Sequence, residues 1–331
     1  MVVESSEPVP ARGGWKLWAR LFVSAVLLAV LVNKAPSFDD LLPDQHHFLT
    51  VVLLGGAVAT TLIGIVLSAW RWQRVLIALG HEVPLTTLFG HYLAGQFVGN
   101  ALPSTIGGDV LRVSRVSTTV GSSTTGFASV VLERLTGFVV LPLIMYIGFA
   151  ADPSILDVEH SWVALMIGVI TMTVLLVLLY LAAHPRIAGR FAEHENWMRF
   201  IGAIHDSVDR LRREPKHALP ILGTAFVYQC SVVLSVAFIF RALDLPIPLA
   251  AVCAYVPAVS MLQVIPVSFN GLGVREGALV FFLAPWPGVD SAQAIAVGVL
   301  WFFCTLAVSV LGAPSFAVGH RQRDRAEKRA E

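Results

Sequence analysis

The chain has 331 residues, 56% of them hydrophobic and only 14% charged, with a net charge of +1. Mean hydropathy is +0.74, whereas soluble domains carry about 25% charged residues, so an ordinary soluble domain is excluded. Near-neutral charge, with no basic cluster interleaved with aromatics, gives no support to nucleic-acid binding.

In chain order, residues 1–14 read as a disordered tail. Arg12, Lys16 and Arg20 then flank the apolar run Leu21–Val32. This start could imitate a signal peptide, but Asn33-Lys34-Ala35-Pro36 is a poor cleavage site. The reading is an uncleaved first membrane helix over Trp15–Val32, with Trp15 and Trp18 as interfacial anchors. The next connection, 33–47, sets Asp39, Asp40 and Asp44 against a single Lys34. The uncharged run Phe48–Trp70 predicts a second span, followed by Arg71 and Arg74. Thr86–Gly108 is also uncharged, but its Gly, Pro, Asn and Gln make it a poor lipid-facing helix and predict a broken one. A span follows at about 130–150, then an acidic loop with Asp152, Asp157 and Glu159, then the uncharged run Ser161–Ala183.

The connection 184–217 carries Arg186, Arg190, Arg199, Arg210, Arg212, Arg213 and Lys216. Within it Ile187, Phe191, Met198, Ile201, Ile204, Val208 and Leu211 recur at three- and four-residue steps. This pattern predicts an amphipathic helix over 187–213 at the membrane surface, linking two halves of the chain. Ala218–Phe240 predicts another span, Leu245–Val274 a second broken segment, and Ser291–Gly319 the last span. The tail 319–331 is basic, with Arg321, Arg323, Arg325, Lys328 and Arg329. Each uncharged run exceeds the ~20 residues that cross hydrocarbon.

The fold class is therefore an all-α integral membrane protein; a β-barrel would show short alternating strands. The membrane domain is 15–318, in halves of about 15–183 and 218–318. The positive-inside rule puts both termini and 184–217 in the cytoplasm and the acidic loops outside.

The two broken segments carry one pattern. PSTIGGDVLR at 103–112 returns as PVSFNGLGVR at 266–275, and both read P-x-[ST]-x-[GN]-G-x-x-x-R. Three crossings lie between them, so the copies enter the membrane from opposite faces, which is the arithmetic of an inverted-topology repeat. Six full spans plus two re-entrant hairpins satisfy every loop charge, and so do eight spans.

Pro103, Gly107, Gly108, Pro266, Gly271 and Gly273 read as turn residues. A Gly-rich turn exposes backbone N–H groups, and the helix after it aims the positive end of its dipole at the turn. Arg112 and Arg275 would add a full charge and a fork suited to phosphate. Ser104, Thr105, Ser268 and Asn270 supply neutral hydrogen-bonding groups, and Gln96, Asn100 and Gln263 could line the same cavity. Asp109 shares a helix face with Arg112, Arg115 adds a charge one turn on, and Glu276 adjoins Arg275. Charges at membrane depth are functional candidates by default. The competing reading is that Asp109–Arg112 and Arg275–Glu276 are ion pairs that hold the fold. For Glu133 and Arg134, adjacent and pointing apart, structural pairing with other segments is the preferred reading.

Enzyme chemistry has no comparable signal. Walker A, HExxH, GxSxG and DxD-like patterns are absent from the sequence, and the longest polar connection, about 34 residues, is too short for a catalytic domain. No cofactor or metal is expected: His46-His47 is the one close histidine pair, and Cys230, Cys253 and Cys304 read as small buried residues.

The segments GQFVGNALPSTIGGDVLR (95–112), ERLTG (133–137) and NGLGVREG (270–277) carry a resemblance. Over about 15–318 the chain resembles the flippase-like transmembrane region of lysylphosphatidylglycerol synthases and its stand-alone relatives. The resemblance implies a multi-pass protein of the plasma (inner) membrane that moves a lipid between leaflets, or helps to. In full-length synthases this region is linked to flipping aminoacylated phosphatidylglycerol outward. Family motif positions fall on Pro103, Gly107, Gly108, Asp109, Arg112, Glu133, Arg134, Asn270, Gly271, Gly273, Arg275 and Glu276. The synthases' aminoacyltransferase domain is not seen in this sequence, so synthase activity is not expected. The expected ligands are membrane phospholipids or polyprenyl-phosphate-linked lipids. Two rival readings remain: an accessory protein that docks an envelope-biosynthesis enzyme through 187–213 and the tail, and a membrane-embedded headgroup transferase.

Overall fold

The computed structural model describes residues 47–101, 107–184, 198–264 and 271–317. The expected helix at 15–32, both tails, the first part of the 187–213 helix and the turn residues Pro103, Ser104, Thr105, Pro266, Ser268 and Asn270 lie outside them. The described residues form helices and contain no strand.

The first half contains α1 (His47–Ala78), α2 (Leu85–Ala101), α3 (Gly107–Val120) and α4 (Ser123–Ala151). A short 3-10 turn (Pro153–Asp157) leads to α5 (Ser161–Ala183), and α6 (Arg199–Arg213) joins the halves. The second half contains α7 (Pro215–Ala242), α8 (Leu249–Leu262), α9 (Val274–Leu283) and α10 (Ser291–Val310). Five helices are long and apolar enough to cross a membrane: Phe48–Ala78, Ser123–Ala151, Ser161–Ala183, Pro215–Ala242 and Ser291–Val310. The chain is a multi-pass helical membrane protein. The two segments expected to be broken, Thr86–Gly108 and Leu245–Val274, each hold one short helix, of 17 and 14 residues, and end where a second begins, of 14 and 10 residues. All four fall below the ~20 residues of a full crossing.

Side-chain caps mark two of the helix starts. Ser122 accepts from the Thr125 N–H (3.2 Å) at α4. Asp290 and Gln293 cap α10 reciprocally, at 2.7 and 3.0 Å. Pro142, Pro220 and Pro257 sit inside α4, α7 and α8, where neighbouring helices make the lost backbone bond tolerable.

The two halves share an element order: long helix, short helix, break, short helix, long helix. Their contacts are reciprocal too. α4 packs on α7 and α8, while α10 packs on α1 and α2. α1 and α7 pack against each other antiparallel along their length. Gly56 meets Phe238, Thr61 Oγ1 lies 2.9 Å from Ser235 Oγ, Gly64 fits beside Ser231 and Arg71 stacks on Tyr228. In lipid, where tails are as apolar as leucine, such small residues let helices approach and gain dispersion energy. One apolar core joins α4, α7, α8, α9 and α10, and a second joins α1 to α2, α3 and the end of α10.

Gly148 shows how tight this packing is. A Cβ there would stand 2.6 Å from both the Ala250 carbonyl oxygen and the Ala254 nitrogen, backbone atoms that cannot step aside. Gly148→Ala should cost about 1–3 kcal/mol, as overpacking does, and lower the melting temperature of the detergent-solubilised protein. Gly223→Ala, with open space around it, should leave that temperature unchanged.

α6 lies against α4, α5 and α7. His205 Nδ1 is 2.6 Å from the Ala182 carbonyl, Phe200 meets Phe127 edge-on at 5.1 Å, and Val208 and Leu211 pack with Val75, Ala78, Leu132 and Ile221. Its apolar side is thus covered by the bundle. Trp162, Ile170, Leu176 and Tyr180 on α5 point outward, as lipid-facing side chains do.

Three local expectations change. α1 continues through Arg71 and Arg74 to Ala78, because Val75, Leu76 and Ala78 have core positions to fill. α4 begins at Ser123, so Glu133 and Arg134 lie well inside it. Of the three cysteines only Cys304 is buried, and Cys230 faces outward from α7.

Candidate functional site

Five charged side chains from α1, α3 and α4 form one chain of alternating sign. Arg71 donates to Glu133 Oε1 through Nε (3.1 Å) and through Nη2. Arg112 donates to Glu133 Oε2 from Nη2 (3.0 Å) and to Asp109 Oδ1 from Nη1 (3.2 Å). Arg134 donates to the same Asp109 oxygen at 2.8 Å. Three arginines against two carboxylates leave a net charge of +1. Residues 102–106 contribute no charge to it.

The chain of charges is closed at one end and open at the other. Glu133, Arg112 and Arg71 are 0%, 2% and 3% exposed. The Asp109 and Arg134 side chains are 26% and 51% exposed. Aromatic rings complete the closed end: the Arg112 guanidinium lies 4.4 Å from the Trp72 ring centre and 4.2 Å from that of Tyr92, and Arg71 lies 4.9 Å from Tyr228. Such contacts gain strength where water is excluded. Trp72 is fixed in turn by its Nε1 hydrogen bond to Ser129 Oγ (3.0 Å).

Glycines make room for these side chains. A Cβ at Gly95 would stand 2.8 Å from Arg112 Cγ, and one at Gly137 would stand 3.0 Å from Arg71 Nη1. Gly108 presses on the Gly95 carbonyl, which brings α2 and α3 together behind Arg112. From the other half, Gln229 on α7 donates to the Gly137 carbonyl (3.3 Å). Arg71 Nη1 and Arg112 Nε are buried donors without a hydrogen-bond partner among the described residues.

The second copy of the pattern is built differently. Gly273 has φ +82° and starts α9, a conformation that favours glycine. Its N–H donates to Glu276 Oε2 at 2.6 Å, and Arg275 Nε donates to Glu276 Oε1 at 3.0 Å. Both side chains are buried, at 4% and 1% exposure. Arg275 lies 5.7 Å from the Trp301 ring and 5.3 Å from the Phe302 ring. Gly298 leaves space for Glu276, since a Cβ there would stand 2.9 Å from Glu276 Cγ. The pair is neutral and local.

The model of the lysylphosphatidylglycerol synthase transmembrane region matches residues 17–312, nearly the whole chain. The chain belongs to that family. No curated protein and no solved structure matches it. In this lysylphosphatidylglycerol synthase transmembrane-region protein, the two arginines at equal offsets in the repeated pattern occupy unlike sites. Arg112 joins a network across three helices, whereas Arg275 pairs with its neighbour. Gln96 and Asn100 lie half-buried on α2, one turn apart, and Gln263 lies against Gly271, whose φ is +73°. Among the described residues no group of three metal-ligating side chains comes together.

Arg71, Trp72, Tyr92, Tyr228 and Gln229 belong to the site but were not singled out from sequence. For Arg71 a signal existed: the apolar residues Val75–Ala78 after Arg74 show that the helix does not stop at the charge.

Proposed function

We propose that this protein translocates a lipid between leaflets, with the lipid phosphate engaging the open Asp109–Arg134 end of the charge network. The observation that carries this is the gradient of access along the network, buried at Arg71 and open at Arg134, with one positive charge left over. A phosphodiester carries one negative charge and would neutralise it; a phosphomonoester or diphosphate would leave excess negative charge among buried groups, which is costly. Arg112 has both nitrogens of its fork committed and two aromatic rings against its guanidinium, so its role is to hold Asp109 and Glu133 in place. Arg134 is the arginine free to exchange Asp109 for a ligand.

An inverted-topology repeat supports a pathway through the bundle. The shared element order, the antiparallel α1–α7 pair and the reciprocal packing of α4 and α10 all favour it. On this reading the two short-helix pairs are re-entrant, the described spans are five of six, and the protein sits in the inner membrane with α6 and both termini in the cytoplasm, which the basic residues of α6 favour. The covered apolar side of α6 disfavours a docking role for an envelope-biosynthesis enzyme. No covalent step is assigned to the site, so the protein is read as a transporter and not an enzyme.

Purified protein in liposomes should speed the appearance of a labelled phosphodiester lipid in the opposite leaflet. Arg134→Gln should slow that exchange about tenfold, in keeping with the ~1.5–3 kcal/mol of a charge-assisted hydrogen bond. Equal exchange in protein-free and protein-containing liposomes would defeat the proposal.

A further inference from the structure

In each half, the segment after the second long helix, α4 or α10, straps the short-helix pair of the other half. After α10, residues 311–317 lie across α2 and α3. Gly312 presses on the Leu93 carbonyl, Gly90 abuts Ser315 Oγ, and the Phe97 and Phe316 rings are 6.0 Å apart. Arg115 on α3 then donates from Nη1 to the Ser315 carbonyl (3.1 Å) and from Nη2 to the Phe316 carbonyl (3.2 Å).

After α4, residues 152–161 do the same to α8 and α9. Ser161 Oγ lies 2.7 Å from Tyr255 Oη on α8 and the His160 ring lies 4.2 Å from that of Phe281 on α9, while Gly148, near the end of α4, presses on the Ala250 carbonyl. Tyr255 is stacked on Phe282 at 5.4 Å and met edge-on by Phe149 and Trp286. His160 holds φ +70°, a left-handed conformation that a side-chain-bearing residue adopts at some cost, so the contact is held by its surroundings.

The straps lie at opposite ends of the bundle. α4 runs from α6, where Phe127 meets Phe200, to the 152–161 strap. The 311–317 strap follows Val308, which shares a core with Trp72 and Leu76 near the end of α1, and Gly80, just past that end, lies beside Arg210 of α6. We infer that the two straps are opposed gates: 311–317 restrains the α2–α3 pair on the α6 face, and 152–161 restrains the α8–α9 pair on the other face. The inference rests on the transport reading, in which the two short-helix pairs flank one pathway. Restraint at both ends lets one pair loosen while the other stays fixed, as alternating access requires.

Hydrogen exchange read by mass spectrometry on the full chain in nanodiscs tests this without a transport assay. Arg115→Gln should raise amide exchange in α2 and α3 about tenfold, as loss of two bonds from a charged donor allows, and leave α8 and α9 unchanged. Ser161→Ala should raise exchange in α8 and α9 about fivefold, as loss of one neutral bond allows, and leave α2 and α3 unchanged. Equal responses of both pairs to either variant, or none, would overturn the inference. Should Arg115→Gln loosen α1 and α7 as well, Arg115→Lys must still raise exchange selectively in α2 and α3, or the inference falls. Transport without selective exchange would sink the gates alone; selective exchange without transport would sink the functional reading alone.

Discussion

Glu133→Gln should destabilise the folded protein by about 3–5 kcal/mol, the cost of removing one partner from a buried ion network. Glu133 is fully buried and accepts from two guanidinium groups, Arg71 on Oε1 and Arg112 on Oε2. Glutamine fills the same space but offers one acceptor, and its amide turns two donors toward a second arginine. The network then carries +2, and its Arg71–Arg112 end is buried away from solvent. Removing the whole neutral pair is a different matter: Arg71→Met/Glu133→Met should recover much of the loss, because no uncompensated charge stays behind. Arg112 would keep Asp109 and its two aromatic faces. Unfolding followed by temperature in detergent measures both. A wild-type melting temperature for Glu133→Gln would show that the network does not hold the bundle together.

The same network marks where sequence reasoning reaches and where it stops. Long apolar runs placed the five described spanning helices, since one crossing of hydrocarbon sets their length. Pro, Gly, Asn and Gln placed the two pairs of short helices, since these residues interrupt helices in known ways. Tertiary pairing is not written in that way. Arg71 and Glu133 are 62 residues apart, and nothing in the local pattern of either names the other. An uncharged window necessarily ends at Trp70, so Arg71 read as a loop charge, although its carboxylate partner lets α1 continue. Equal offsets also concealed unequal environments. Glu133 lies ten residues beyond the start of α4, and ten beyond the start of α10 stands Trp301. Arg112 therefore meets a carboxylate, whereas Arg275 meets an indole and turns to Glu276 instead. The echo between PSTIGGDVLR and PVSFNGLGVR marks related backbone positions, and the partners on the long helices decide what each arginine does.

Asp109→Asn should change which headgroup the protein prefers while leaving it folded. Asp109 is a quarter exposed and receives one bond each from Arg112 and Arg134, so its loss costs about 1 kcal/mol, near the value for accessible pairs. Its charge matters more. Without it the network rises from +1 to +2, and the freed Arg134 guanidinium can accept a second negative charge. At an effective dielectric constant near 20, one added unit charge about 8 Å away contributes roughly 2 kcal/mol. A dianionic phosphomonoester lipid should then gain about tenfold or more over a phosphodiester lipid in competition for the variant, with the wild type ranking them the other way. Arg134→Gln brings the network to zero and should weaken both ligands, the dianion more than the monoanion. The sign of this exchange separates a ligand site from a structural brace, because a brace would lose stability without changing any preference. An unchanged ranking in Asp109→Asn would place the phosphate somewhere other than the open end of the network, and the charge balance that favours a phosphodiester would lose its basis.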